Sequence, residues 1–292
     1  MASFRAALKR TLPPPAYEAV RNGWWRAAFY FPRMVASWFV KRRPEILASA
    51  GAGNSLTTQL RNVNALAPTD MCLVMTKYGS DKGFRHHNYT PVYSAMAHLR
   101  QGQPLRIFEL GLGTNDPQAP STMGINARPG ASLRGWRELF PQASIYGADI
   151  DRSVLFREDR ISTFYCDQCD PAAIQELWSQ PELREGMDFI IEDGLHTFEA
   201  NVSFLEGSLQ RLRPGGVYVV EDVADATIAK WRERLHGMYA KLHDYEFVLV
   251  KLPHASERHN NLLIVRRAPE SGLSQSVGPA AAPVIAPSRK AH

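Results

Sequence analysis

Two apolar runs in this chain end in acid. Residues 189–198 read FIIEDGLHTF: Phe189, Ile190 and Ile191 lead into Glu192 and Asp193, and His196 follows three residues after the aspartate. Residues 215–223, GGVYVVEDV, repeat the pattern and end in Glu221 and Asp222. Carboxylates and an imidazole are the residue types that hold cations and move protons. The plainer alternative is that each acid caps the helix that follows. One such residue is unremarkable; several strands ending in acid are harder to explain by capping.

The surrounding pattern says what must position these groups. From residue 105 the chain alternates strand-like and helix-like segments: LRIFEL (105–110), ASLRGWRELF (131–140), SIYGAD (144–149), ISTFY (161–165), PAAIQELW (171–178) and DFIIED (188–193). TFEANVSFLEGSLQRL (197–212) reads as a helix, RPGG as a turn, VYVVED (217–222) as a strand and ATIAKWRERLHGMYAKL (226–242) as a helix. YEFVLVKL (245–252) and NLLIVRR (261–267) suit a closing antiparallel pair. Strands spaced by helices predict an α/β fold, a parallel sheet with helices on both faces. Ligands of such sheets bind beyond the carboxyl ends of the strands, near the switch in strand order. The acidic ends then face a ligand crevice rather than the core.

A second group of residues suits a nucleoside. In FELGLGTND (108–116), Glu109, Gly111 and Gly113 form E-x-G-x-G directly after a strand, and glycines let backbone approach a ligand closely. A nicotinamide fingerprint wants a third glycine where Asp116 stands, and no helix begins at once to receive a pyrophosphate. One strand later Asp149 stands at a strand end, with Asp151 just beyond; a carboxylate there can accept both hydroxyls of a ribose. Asp167 and Gln168, in CDQCD, suit an adenine edge. Ribose and adenine without phosphate fit these groups.

With these motifs the sequence resembles the class I S-adenosylmethionine-dependent methyltransferases, and within them the metal-dependent sugar O-methyltransferases of the mycinamicin and tylosin type. The related cephalosporin-hydroxylase-like group is similar too. The resemblance covers about residues 75–225 and rests on KYGSDKG (77–83), HHNYTPVY (86–93), FELGLGT, YGADID, CDQCD, IIEDGLHTF and VYVVEDV. It implies a Rossmann-like sheet, S-adenosyl-L-methionine and Mg²⁺ as cofactors, and a sugar or other vicinal diol as methyl acceptor. By the family pattern, Asp193, Glu221 and Asp222 bind the metal and His196 is the general base. Tyr78 and Ser80 fall in a family segment near the cofactor. His86 and His87 line the substrate mouth or merely structure their loop. Hard carboxylate oxygens suit Mg²⁺, and a bound ion would relieve the repulsion among three carboxylates.

The charge of the chain is unevenly placed. Residues 1–65 carry ten Lys and Arg against two Asp and Glu, a balance of +8, whereas the remainder carries 24 against 27, a balance of −3. The basic character therefore belongs to an N-terminal segment, and a nucleic-acid partner does not follow from it. We divide the chain into this basic, aromatic-rich helical segment (1–65), a methyltransferase domain (66–267) and an Ala/Pro/Ser-rich disordered tail (268–292). Residues 23–43, GWWRAAFYFPRMVASWFVKRR, are interrupted by Arg26, Pro32 and Arg33 and do not read as a membrane span. Two readings stay open for them: an arm packed on the domain or on a partner subunit of a homo-oligomer, or a peripheral membrane contact. Three cysteines make no disulfide framework, which places the chain in the cytoplasm; the lone CxxC of Cys166 and Cys169 is weak support for a metal. Two competing functions are a nicotinamide-dependent oxidoreductase and an adenosyl-binding scaffold without catalysis.

Overall fold

The computed structural model describes residues 43–51, 55–83, 87–97, 100, 102–119, 122–124, 128–253 and 260–269. Most of the basic segment, including all but Arg43 of the aromatic stretch 23–43, lies outside the described residues. So do His86 and the tail from residue 270.

A nine-stranded sheet runs through the molecule. Its strands are β1 (Glu45–Ala50), β2 (Arg106–Leu110), β3 (Ser144–Asp149), β4 (Arg157–Glu158), β5 (Ile161–Tyr165), β6 (Met187–Glu192), β7 (Leu212–Val220), β8 (Tyr245–Lys251) and β9 (Asn261–Arg267), in the order β1-β8-β9-β7-β6-β2-β3-β5-β4. The central five, β7-β6-β2-β3-β5, are parallel. β9 runs antiparallel between β7 and β8, so the expected closing pair forms and wedges back into the sheet.

Alternation along the strands splits the core in two, because successive side chains point to opposite faces. Ile107, Phe189, Ile191, Val217 and Val219 face one apolar cluster; Phe108, Ile190, Tyr218 and Val220 face the other. The first face is covered by α1 (Ser55–Asn62), α2 (Asp70–Tyr78), α3 (Thr90–Ala97) and α4 (Ala131–Leu139). The second is covered by α5 (Pro171–Ser179), α6 (Phe198–Ser208) and α7 (Ile228–Tyr239). Trp136 of α4 and Trp178 of α5 fill the two layers. Burial of each such large side chain stabilises the fold by roughly 1.5–3 kcal/mol.

Two expectations change. The boundary drawn at residue 65 divides a continuous structure, since β1 pairs with β8 and α1 buries Leu56 and Leu60 in the first core. The RPGG stretch is not a free turn either: β7 starts at Leu212 and runs through it, with an irregular register against β6 that absorbs the glycines.

Candidate active site

The strand order reverses between β2 and β6, and a cleft of about 1260 Å³ opens there, beyond the carboxyl ends of the parallel strands. The loops after these two strands meet backbone to backbone. A Cβ on Gly111, whose φ is +88°, would lie 2.0 Å from the carbonyl oxygen of Asp193. At Gly113 a Cβ would strike the Met123 side chain. Both glycines therefore let the chain approach itself, in addition to lining the cleft.

One wall of the cleft carries the residues expected to hold a nucleoside. Asp149 ends β3, and its two oxygens accept the backbone N–H groups of Leu112 and Asp151 at 2.7 and 2.9 Å. Burial pushes its carboxyl above the ordinary range against those hydrogen bonds. Asp151 caps the short turn after β3 through the N–H of Ser153. Between these acids Ile150 stands 60% exposed in the cleft, an apolar surface that the sequence reading missed. Asp167 lines the same wall and accepts the N–H of Cys169. Tyr78 and Ser80 line it too, with the Tyr78 hydroxyl donating to Glu138.

Two residues assigned to the cofactor are already engaged by the protein. Glu109 is buried, and Ser132 Oγ and Trp136 Nε1 donate to its two oxygens. Gln168 turns its amide inward: its Nε2 donates to Glu192 at 3.1 Å and its Oε1 accepts the N–H of Leu195 at 2.7 Å. Glu192 itself lies on the second core face, away from its neighbour Asp193, as strand alternation requires. Burial pushes its carboxyl up to about 7, opposed by His196, Gln168 and Gly194. In the CxxC, burial, then Asp167 and Asp170, push the Cys166 thiol up to about 12, and burial raises that of Cys169.

The acidic side is built differently. Asp193, His196 and Asp222 each offer one ligand atom, and these atoms lie within 4.8 Å of one another. His196 Nε2 stands 3.9 Å from Asp193 Oδ1 and 3.8 Å from Asp222 Oδ2, while its buried Nδ1 has no hydrogen-bond partner among the described residues. Capping does not explain the group, because Thr197, not His196 or Asp193, caps α6. His196 and Asp222 hold left-handed backbone, φ 58° and 53°. Such conformations are costly for residues other than glycine and concentrate at functional sites.

Glu221, also expected among the ligands, is buried and hydrogen-bonded by the protein. Its Oε2 accepts a hydrogen bond from Lys82 Nζ at 2.7 Å, and its Oε1 accepts one from the Tyr93 hydroxyl. Lys82 also donates to Asp193 Oδ2 at 2.5 Å and lies 3.3 Å from Glu109. Burial opposes the charge on this ammonium, but Asp193, Glu109 and Glu221 outweigh it and hold its pKa well above the ordinary value. The Tyr89 hydroxyl donates to Asp222 Oδ1, and His87 stacks on Tyr89 with its Nδ1 3.6 Å from the same oxygen. Lys82, Tyr89, Tyr93, Ser132 and Trp136 are the functional neighbours that sequence reasoning missed. Lys82, Tyr89 and Tyr93 stand inside the motifs KYGSDKG and HHNYTPVY, and the one available signal was that clustered strand-end carboxylates need donors.

The parallel sheet, its antiparallel return and the cleft at its switch point define a class I methyltransferase fold. A methyltransferase of the mycinamycin biosynthetic pathway, MycE, solved with Mg and SAH, shares this fold with a TM-score of 0.53 at 24% identity, over 76% of this chain and 63% of its own. The chain is 31% identical over 223 residues to the 8-demethyl-8-alpha-L-rhamnosyl tetracenomycin-C 2'-O-methyltransferase of Streptomyces olivaceus, covering 74% of this chain and 52% of that enzyme. It is 31% identical over 157 residues to the mycinamicin VI 2''-O-methyltransferase of Micromonospora griseorubida, covering 53% of this chain and 36% of that enzyme. The chain thus spans about half or less of the length of these curated relatives. No family model matches it. No helix among the described residues is long and apolar enough to cross a membrane.

Proposed function

We propose that the protein is an S-adenosylmethionine- and Mg²⁺-dependent O-methyltransferase acting on a hydroxyl of a sugar or other vicinal-diol natural product. The observation that carries this reading is the convergence of Asp193, His196 and Asp222 on the cleft that Asp149, Ile150 and Asp167 also line. The donor set fits a hard divalent ion: two aspartates each turn one oxygen toward His196, beside a buried imidazole nitrogen without a partner among the described residues. The names of the relatives, both O-methyltransferases and one of a rhamnosyl compound, support the acceptor class.

When bound, S-adenosylmethionine supplies a methyl group with its own leaving group, and Mg²⁺ acidifies a chelated hydroxyl. This chain's residues do the rest. Asp149 receives ribose hydroxyls, and Ile150 offers its exposed side chain to the face of the base. Asp193 and Asp222 would hold the ion. His196 Nε2 takes the acceptor's proton, and the walls of the cleft align acceptor and methyl group for in-line transfer. No covalent intermediate with the enzyme is needed.

Calorimetric titration of S-adenosylhomocysteine, and then of Mg²⁺ with that ligand bound, tests the reading on wild type and Asp222→Asn. The expected result is adenosyl binding in both proteins and a Mg²⁺ site lost only in the variant. Adenosyl binding with no Mg²⁺ site in wild type would keep the cofactor and remove the mechanism. Absence of adenosyl binding would overturn the assignment.

A further inference from the structure

Two imidazoles line the cleft among the described residues, and the function proposed above uses only His196. The other, His87, is held on two sides. Its ring stacks on that of Tyr89, with centroids 4.7 Å apart and planes 12° from parallel, and its Nδ1 lies 3.3 Å from Asn260 Oδ1. Asp222 Oδ1 stands 3.6 Å from the same nitrogen. The ring's other nitrogen, Nε2, makes no hydrogen bond among the described residues.

Buried amides behind His87 decide which nitrogen carries its proton. An amide nitrogen only donates and an amide oxygen only accepts. Asn88 is buried, with Nδ2 2.7 Å from the Ala65 carbonyl oxygen and 2.9 Å from that of Pro253, so its nitrogen points there and its Oδ1 is left to accept. That oxygen receives Asn260 Nδ2, which also reaches the Leu252 carbonyl at 3.3 Å. Asn260 Oδ1 is thereby turned to His87, and the Asp222 carboxylate adds a second accepting oxygen on the same side. In the neutral ring Nδ1 therefore holds the proton and Nε2 holds the lone pair.

We propose that His87 is a substrate-binding residue whose Nε2 receives a hydrogen bond from a hydroxyl of the sugar other than the one methylated. The proposal rests on the O-methyltransferase reading above and deepens it. A lone pair selects a free hydroxyl, because an ether oxygen or a C–H in its place has no proton to donate. Sites built to pair a hydroxyl discriminate strongly against analogues that lack it. Any O-methylation at that second position then has to follow this enzyme's transfer.

The test joins a spectrum to kinetics, both on the full chain. ¹⁵N NMR of histidine-labelled wild type at about pH 8.5, above the ordinary histidine range, should show the His87 proton on Nδ1. The signal is assigned by its absence in His87→Phe or His87→Gln, and a proton on Nε2 overturns the proposal. The kinetic probes are methyl α-L-rhamnopyranoside, chosen for the α-L-rhamnosyl group in the name of the tetracenomycin-C methyltransferase, and its mono-deoxy and mono-O-methyl derivatives, with S-adenosylmethionine and Mg²⁺ supplied. At one position both derivatives should raise the wild-type KM by about tenfold, the scale of one hydrogen bond. His87→Phe keeps a ring on Tyr89 and removes the lone pair. It should raise the KM of the parent glycoside by the same factor, change kcat far less, and no longer distinguish that pair of derivatives from the parent. A variant that keeps the wild-type discrimination at every position overturns the proposal. Wild type that methylates none of the probes overturns the sugar-hydroxyl reading and this proposal with it; in the other two failures the parent glycoside is still methylated.

Discussion

The two ends of the cleft position their carboxylates by different means. At the end proposed for the nucleoside, Asp149 and Asp167 are held by backbone N–H groups of Leu112, Asp151 and Cys169, all within the turns after β2, β3 and β5. At the acidic end, Asp193, Glu221 and Asp222 are held by the side chains of Lys82, Tyr93 and Tyr89, from a segment more than a hundred residues earlier in the chain. The first arrangement follows from the sheet itself, because any sequence that makes these turns presents the amides. The second depends on particular side chains reaching across from α3 and the loop before it, so it is the end where single substitutions should act most strongly.

The largest expected effect sets the two ends against each other. His196→Ala should lower turnover by roughly 10²–10⁴-fold, the range for losing a general base, with S-adenosylhomocysteine affinity unchanged. Asp149→Asn should do the reverse in binding, weakening S-adenosylhomocysteine by about tenfold, the equivalent of one hydrogen bond to a charged group. Calorimetry beside a methyl-transfer assay reads both, and a joint loss in either variant would erase the division. Trp136→Phe probes Glu109, which stands between the ends. Removing the Nε1 donor at 2.6 Å from a buried carboxylate should cost about 1–3 kcal/mol of stability in urea unfolding.

The smallest effect belongs to a pair outside the cleft. Arg134 and Arg137 donate to Glu158, and these contacts hold its carboxyl below the ordinary range. A pKa depressed on folding gives stability that is present above the unfolded value and lost as pH falls through the folded one. Glu158→Gln should therefore lower stability by about 1 kcal/mol or less at neutral pH. Thermal melts of variant and wild type should converge in acid; a constant gap would point to packing instead of charge.

The central fold was legible because its parallel strands are buried on both faces and read as unbroken apolar runs, as in FIIED and VYVVED. β1 was not: it is a short, half-exposed edge strand whose partner β8 lies some two hundred residues on, and no local pattern announces that pairing. Of the site, the acids after β6 and β7 and the nearby His196 stood out in sequence by type and strand-end position, and the resemblance to sugar O-methyltransferases singled out Asp193, His196 and Asp222, which the fold brings together. The burial of Glu221 was not legible, because adjacent acids look alike in sequence while alternation and donors decide where each carboxylate goes. Lys82 was hidden for a related reason. A lysine in GSDKG has the composition of a solvated loop, and only the tertiary contacts bury it.

The left-handed backbone at His196 and Asp222 has one more consequence. Each position asks of its residue a conformation that glycine adopts freely and other residues adopt at a cost of order 1–2 kcal/mol. Replacing either side chain by glycine would relax the main chain while removing its chemistry, so His196→Gly should outlast His196→Ala on heating although both lack the base. Breeding for heat tolerance alone would thus find durable, silent descendants at these two positions, and an evolution experiment that means to keep methyl transfer has to score it in every round.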